Sequence, residues 1–249
     1  MAISILVTTA VTIFLRPDSV ISELKPLPDY LHVCRRSNPD IANCIMESAY
    51  FLRTKLAAGI PELGVAPMDP MVINTLMPSN GHGIKIETTN LLVTGTSNFT
   101  LSYLKANIDR QKYEFQVRFP HMHVLGNYSI DGRIVRMAIK GHGDFDLDIY
   151  GVKCNVSLLG NVVDIDGSNY IRFNNISLRI MVDKGKIELR NLFGGDKNLG
   201  DVLNSAINSN FIMFFMELRP IIQKVLEEFV LDTVEKLTRH FTYEQLFPD

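Results

Sequence analysis

Two periodicities divide the chain. Between Leu199 and Phe241 apolar residues recur at Leu203, Ile207, Phe211, Phe214, Leu218, Ile221, Val225 and Phe229, in steps of three and four. That is the repeat of a helix and not of a strand. A second stripe, Phe215, Ile222, Leu226, Val230, Val234 and Leu237, lies beside the first. Together they form an apolar face wider than a helix resting on one surface uses. The pattern predicts a core helix from Phe211 to about Leu237 around which other structure wraps, with a kink or break at Leu218–Pro220, where proline interrupts the helix. The fully apolar run Phe211–Met216 is too short to cross a membrane, which takes about 20 apolar residues.

From Ile84 to Phe193 the repeat is two. Tyr113, Phe115, Val117 and Phe119 alternate with polar residues, as do Val135, Met137 and Ile139, then Phe145, Leu147 and Ile149, then Ile176, Leu178, Ile180 and Val182. These are strands with one buried face. Turn signals at Gly126-Asn127, Asp131-Gly132, Gly141-His142-Gly143, Gly160-Asn161, Asp166-Gly167 and Lys184-Gly185 separate them. No helix-length crossover intervenes, so consecutive antiparallel pairing is expected. Nearer the N-terminus, Ile41, Ile45, Met46, Ala49, Leu52 and Leu56 predict an amphipathic helix ended by Gly59 and Pro61. Pro61 to Pro78 reads as a loop-rich connector anchored by Val72, Ile73 and Leu76, followed by a turn at Gly81-His82-Gly83. The fold class is α+β, with the antiparallel sheet curled around the long C-terminal helix, since only that buries both apolar surfaces.

Composition narrows the partners. The 249 residues are 46% hydrophobic and 21% charged with net charge −2, and the basic residues do not cluster. That is ordinary globular composition without a nucleic-acid footprint. Ala2–Leu15 is uncharged and mostly apolar and ends at Arg16-Pro17, which suits a signal peptide better than a membrane span. Residues 1–22 are therefore expected to be a signal peptide and 23–249 a single domain. Sequons at Asn98, Asn127, Asn155 and Asn175 agree with secretion and glycosylation. A glycosylated Asn faces solvent, so its strand neighbour faces inward; those neighbours, Phe99, Tyr128, Val156 and Ile176, are all apolar or aromatic. Cys34 and Cys44, ten residues apart, suit a disulfide, which leaves Cys154 as a buried free thiol.

Candidate chemistry is sparse. Asp144-x-Asp146-x-Asp148 begins like a calcium loop, but the sixth position is Ile149 and the twelfth Asn155, so the motif fails. His121-x-His123 puts two imidazoles on one strand face, with His142 within possible reach, yet zinc needs further ligands that the sequence does not supply. No metal, cofactor or catalytic residue is expected. No nucleophile elbow, zinc-protease or P-loop signature is present, and Gly194-Gly195-Asp196-Lys197 reads as the cap of the following helix.

Several motifs resemble the takeout/juvenile-hormone-binding protein family of insects. They are Cys34…Cys44-Ile-Met, Leu76-Met-Pro78, Leu125-Gly-Asn-Tyr-Ser-Ile-Asp-Gly-Arg133, Gly141-His-Gly143, Asn191-Leu-Phe-Gly-Gly-Asp-Lys-Asn-Leu-Gly200 with Asn204…Asn208, and the closing Tyr243-Glu-Gln-Leu-Phe247. The resemblance spans essentially the whole mature chain. It implies a tubular lipid-binding fold with an apolar tunnel between helix and sheet, a Cys34–Cys44 disulfide, and a secreted, non-enzymatic carrier. Cys154 lacks a second-disulfide partner, which points to the takeout-like branch. The expected ligand is a small lipophile, such as a terpenoid hormone or a fatty acid, and the carrier a monomer without stable membrane insertion. From the sheet, Phe99, Leu101, Tyr103, Phe115, Val117, Tyr128, Ile130, Met137, Ile139, Phe145, Leu147, Ile176 and Leu178 are expected to line the tunnel. From the helix come Phe211, Phe214, Phe215, Leu218 and Ile222. The Tyr128 hydroxyl would meet either a ligand oxygen or a backbone carbonyl at the sheet's end. Two alternatives stay open: a lipid esterase and a ligand-free extracellular signalling protein.

Overall fold

A computed structural model describes residues 25–76, 85–134 and 137–249. The expected signal peptide, the Gly81–Gly83 turn and Val135 lie outside the described residues, as does the side chain of Met137. The chain order is α1 (Ile41–Ala58), β1 (Met71–Leu76), β2 (Lys85–Thr94), β3 (Thr100–Asn107), β4 (Lys112–Ile134), β5 (Met137–Ile165), β6 (Ser168–Met181), β7 (Lys184–Leu189), α2 (Lys197–Ser209), α3 (Phe211–Thr238) and α4 (Tyr243–Leu246). All strand pairs are antiparallel, in the order β1-β2-β4-β5-β6, with β3 also on β4 and β7 also on β5.

Four of the expected turns do not exist. β4 and β5 are single strands of 23 and 29 residues, paired from Lys112↔Leu159 to Ile134↔Met137. They run straight through Gly126-Asn127, Asp131-Gly132, Gly141-His142-Gly143 and Gly160-Asn161. At Gly126, Gly141, Gly143 and Gly160 glycine serves close approach, not chain reversal. A Cβ on Gly126 would stand 2.6 Å from the Leu91 side chain and 3.0 Å from the Phe145 ring. Asp166-Gly167 is a true two-residue hairpin turn, with φ of 53° and 79° between Ile165 and Ser168, the conformation that suits the strand twist. Lys184 and Gly185 open β7, and Gly185 seats the Phe211 ring.

The expected connector 61–78 contains β1. Ile73 packs on the core while Val72, expected as an anchor, is 61% exposed, because alternate residues of a strand face opposite ways. The C-terminal helical stretch breaks at Asn210 (φ −126°, ψ 33°), not at Pro220, which lies inside α3. Proline deprives the carbonyl four residues earlier of its donor. Met216 and Pro220 are both exposed, so water can take that carbonyl. Asp196 caps α2 as expected, accepting from Leu199 N–H at 3.1 Å.

The helices are bonded to the sheet as well as packed on it. Along β6, the N–H groups of Phe173, Leu178 and Ile180 donate to Glu235, Glu227 and Gln223 of α3 at 2.5, 2.8 and 3.4 Å. Along β7, Asn208 bonds both N–H and C=O of Ile187 at 2.8 Å, and Asn204 does the same for Leu189 at 2.9 Å. The apolar stripes of α3 then face the concave side of the sheet, with Phe211, Phe214 and Phe215 buried among Val124, Phe145, Leu178 and Ile187. Cys34 and Cys44 are bonded, with Cα atoms 5.9 Å apart. Cys154 is a buried free thiol, and burial pushes its pKa up to about 12.

Candidate functional site

Two apolar cavities lie at successive positions along α3. The larger, of about 320 Å³, is enclosed by the 30–34 lead-in, α1 (Ile45, Met46, Ala49, Leu52), Leu101 and Leu104 of β3, Tyr113 and Phe115 of β4, Leu158 of β5, Ile171 and Phe173 of β6, the end of α3 (Val234, Leu237) and Leu246-Phe247. The smaller, of about 210 Å³, is walled by β1 and β2 (Met71, Ile73, Ile86, Leu91, Val93), by Met122 and Val124, by Phe145, Leu147, Ile149 and Val152, and by Phe215, Leu218, Ile222, Val225 and Leu226 of α3. Between them on α3, Phe229 and Val230 pack against the core that holds Val156 and Leu178.

Hydroxyl groups on the larger cavity's wall have their donors engaged. Ser48 Oγ donates to the His32 carbonyl at 2.7 Å, Thr238 Oγ1 to the Val234 carbonyl at 2.9 Å, and Tyr113 Oη to Gln111 Oε1 at 3.0 Å. Burial pushes the Tyr113 pKa well above its ordinary value, with the nearby Tyr243 adding to the rise, so the phenol stays neutral. Among the described residues lining the smaller cavity, Thr88 is the one polar side chain and none is charged. Such walls reward removal of apolar surface from water and offer no ion pair.

The residues singled out from the sequence divide into three groups. Leu101 and Phe115 line the larger cavity; Phe145, Leu147, Phe215, Leu218 and Ile222 line the smaller. Val117, Ile130, Ile139, Ile176, Leu178, Phe211 and Phe214 belong to the packed core or lie against it, and Phe99 sits between Tyr50 and Phe119 under the Arg53 guanidinium. Tyr103 faces outward, 40% exposed. A bulge between Leu101 and Tyr103 resets the alternation of β3, so Leu104 takes the inward place. The Tyr128 hydroxyl donates to the Arg190 carbonyl at 2.7 Å. Burial first, then the Asp144 charge, raises its pKa to about 12. The backbone is thus its partner. Of the sequon residues, Asn98, Asn127 and Asn175 are exposed, while Asn155 is half-buried and accepts from Gln116 at 2.7 Å.

Sequence reasoning missed the wall that α1, α4, β1 and β2 supply. The amphipathic pattern of α1 carried the signal, since Ile45, Met46, Ala49 and Leu52 must face some apolar partner.

A curved antiparallel sheet closed on a long helix, with apolar cavities in the seam, defines a tubular binding fold. The chain belongs to the family described as haemolymph juvenile hormone binding protein (JHBP), whose sequence pattern matches residues 4–248. This is a family of proteins that bind small hydrophobic ligands. The circadian clock-controlled protein daywake of Drosophila melanogaster is 22% identical over 220 residues, covering 82% of this chain and 83% of its own. A protein of Schistocerca gregaria named as a candidate beta-carotene binder is 21% identical over 214 residues, covering 85% and 86%. The crystal structure of Epiphyas postvittana Takeout 1 superposes with a TM-score of 0.78 at 18% identity, covering 88% of this chain and 100% of that one, which establishes the fold.

Proposed function

We propose that this chain is a secreted, monomeric, non-enzymatic carrier that holds a small lipophilic molecule, such as a terpenoid hormone or a fatty acid, in its larger cavity. The observation that carries the reading is that cavity itself: about 320 Å³, walled by apolar side chains, with its hydroxyl donors already bonded. Its volume falls at the small end of the usual range for ligand sites, about 300 to 1,000 Å³. Burying about fifteen carbon groups at roughly 0.8 kcal/mol each gives about 12 kcal/mol. Association costs of at least about 4 kcal/mol leave about 8 kcal/mol, or a Kd near 1 μM. Carbohydrate is carried on the exposed sequons Asn98, Asn127 and Asn175. No helix among the described residues is long and apolar enough to cross a membrane.

An esterase reading finds no hydroxyl or thiol nucleophile hydrogen-bonded to an imidazole among the described residues. Ser48 and His32 both border the larger cavity, but the serine hydroxyl donates to the histidine's backbone carbonyl and not to its imidazole. The test fills the cavity from one wall. Ala49→Phe places a ring where Ala49 borders the void, and should weaken uptake of a fluorescent fatty acid at least tenfold with little change in melting temperature. Native mass spectrometry of the secreted protein should show a co-purifying small lipid. Unchanged uptake by Ala49→Phe removes the larger cavity from the function, and turnover of a generic ester removes the non-enzymatic reading.

A further inference from the structure

Behind the wall of the smaller cavity, the outer face of the sheet brings together two motifs that are separate in sequence. Met122 and Val124 face the cavity, so His121 and His123 face outward; Leu147 and Ile149 face it, so Asp146 and Asp148 face outward. The β4–β5 register sets His123 opposite Asp148, with Asp146 and His121 on the two diagonals. His123 Nδ1 lies 3.1 Å from Asp148 Oδ1 and 3.6 Å from Asp146 Oδ1. One ligand atom from each of the three lies within 4.8 Å of the others, the one such convergence among the described residues. Ligand atoms about 2.0–2.1 Å from a tetrahedral ion stand roughly 3.3 Å apart; the two His123–carboxylate separations bracket that value as hydrogen-bond and ion-pair contacts, and an ion would take the place of the shared proton.

The surroundings prepare the same atoms. His121 Nε2 sits 2.6 Å from Asp148 Oδ1, and its ring stacks on Tyr150 with centroids 4.5 Å apart. Glu188, in register beside Asp146, is engaged by Arg190 at 3.2 Å. The side chains of His121, His123, Asp146 and Asp148 are 45%, 32%, 35% and 33% exposed, open to an ion from solvent.

We propose that this cluster binds one divalent transition-metal ion of the zinc class. His123 Nδ1, Asp146 and Asp148 are the ligands, water completes the shell, and His121 is a positioning residue that orients Asp148. An imidazole nitrogen among the ligands selects zinc-like ions over calcium or magnesium, which take oxygen. The site clips β4 to β5 on the side of the sheet opposite the cavities, and does not depend on the carrier reading.

Cobalt(II) is the probe, added to the full secreted chain prepared without a histidine tag. One equivalent should bind with visible absorption bands that zinc bleaches by displacement. His123→Ala and Asp148→Asn should abolish the bands. His121→Gln should weaken binding 10- to 100-fold, as loss of an outer-shell partner does, while leaving the melting curve of the metal-free protein unmoved; a merely structural His121 would move the curve and not the affinity. His142→Ala, outside the cluster, should bind as the parent does. All these positions are on the outer face, and circular dichroism of each metal-free variant should overlay the parent; if Asp148→Asn unfolds, Asp146→Asn carries the same test. No saturable uptake, uptake undiminished by His123→Ala, or displacement by calcium as readily as by zinc overturns the proposal.

Discussion

Asn204→Ala tests how α2 is attached to the sheet. The Asn204 amide accepts from the Leu189 N–H and donates to the Leu189 carbonyl, each at 2.9 Å, and Leu189 is buried. Truncation strands one donor and one acceptor on the same residue. A buried group left unsatisfied costs about 1–3 kcal/mol. Asn204 itself is half-buried, so water can repair part of the loss, and the low end applies to each group. The expected destabilisation is about 2 kcal/mol, a fall of about 4–8 °C in melting temperature for a chain of this size. Asn204→Asp should do no better, because it keeps an acceptor for the N–H but sets a second oxygen against the carbonyl. Thermal denaturation followed by circular dichroism measures both, with Ser205→Ala, at an exposed neighbouring position, as the reference. A loss under about 0.5 kcal/mol, or one equal to that of Ser205→Ala, would mean that packing alone holds α2.

Thiol titration of denatured, unreduced protein should find one thiol, that of Cys154; three would contradict the Cys34–Cys44 bond. Tyr128→Phe should lower stability by about 0.5–1.5 kcal/mol through loss of its bond to the Arg190 carbonyl, read by urea denaturation. The same variant should bind an oxygenated lipid and a hydrocarbon of equal size as the parent does; selective loss of the oxygenated one would return the hydroxyl to the site.

Periodicity carried most of the fold. The core helix ends within a residue or so of where its stripes end, and the α+β wrap follows from two apolar surfaces that only each other can cover. Glycine misled in the strands, because Gly126, Gly141 and Gly160 make room for a neighbour, and tight packing leaves the same residue in the sequence as a turn does. β1 was hidden by the prolines around it. Of the expected ligand-site residues on strands whose side chains are described, all lie on the inner face except Tyr103, where a bulge reverses the face. Inside is not the same as lining a void, however. Ile139 and Phe214 share the apolar character of Phe145 and Phe215, and only three-dimensional packing decides which of them borders empty space. The histidine and aspartate motifs failed one at a time for a related reason: strand register, which no single segment encodes, sets them face to face.

The β4–β5 hairpin is the spine from which everything else hangs. Its open end, near Tyr113 and Leu158, helps form the larger cavity with α1, β3 and α4; its middle, near Val124 and Leu147, forms the smaller with β1 and β2. The two cavities share the hairpin, β6 and α3, and otherwise draw on different elements. Selectivity at one end can therefore drift by substitutions in α1 or β3 while the other end keeps its shape. A fold built this way lets one lineage retune half of its interior at a time, which suits an architecture that Takeout 1 shares at 18% identity.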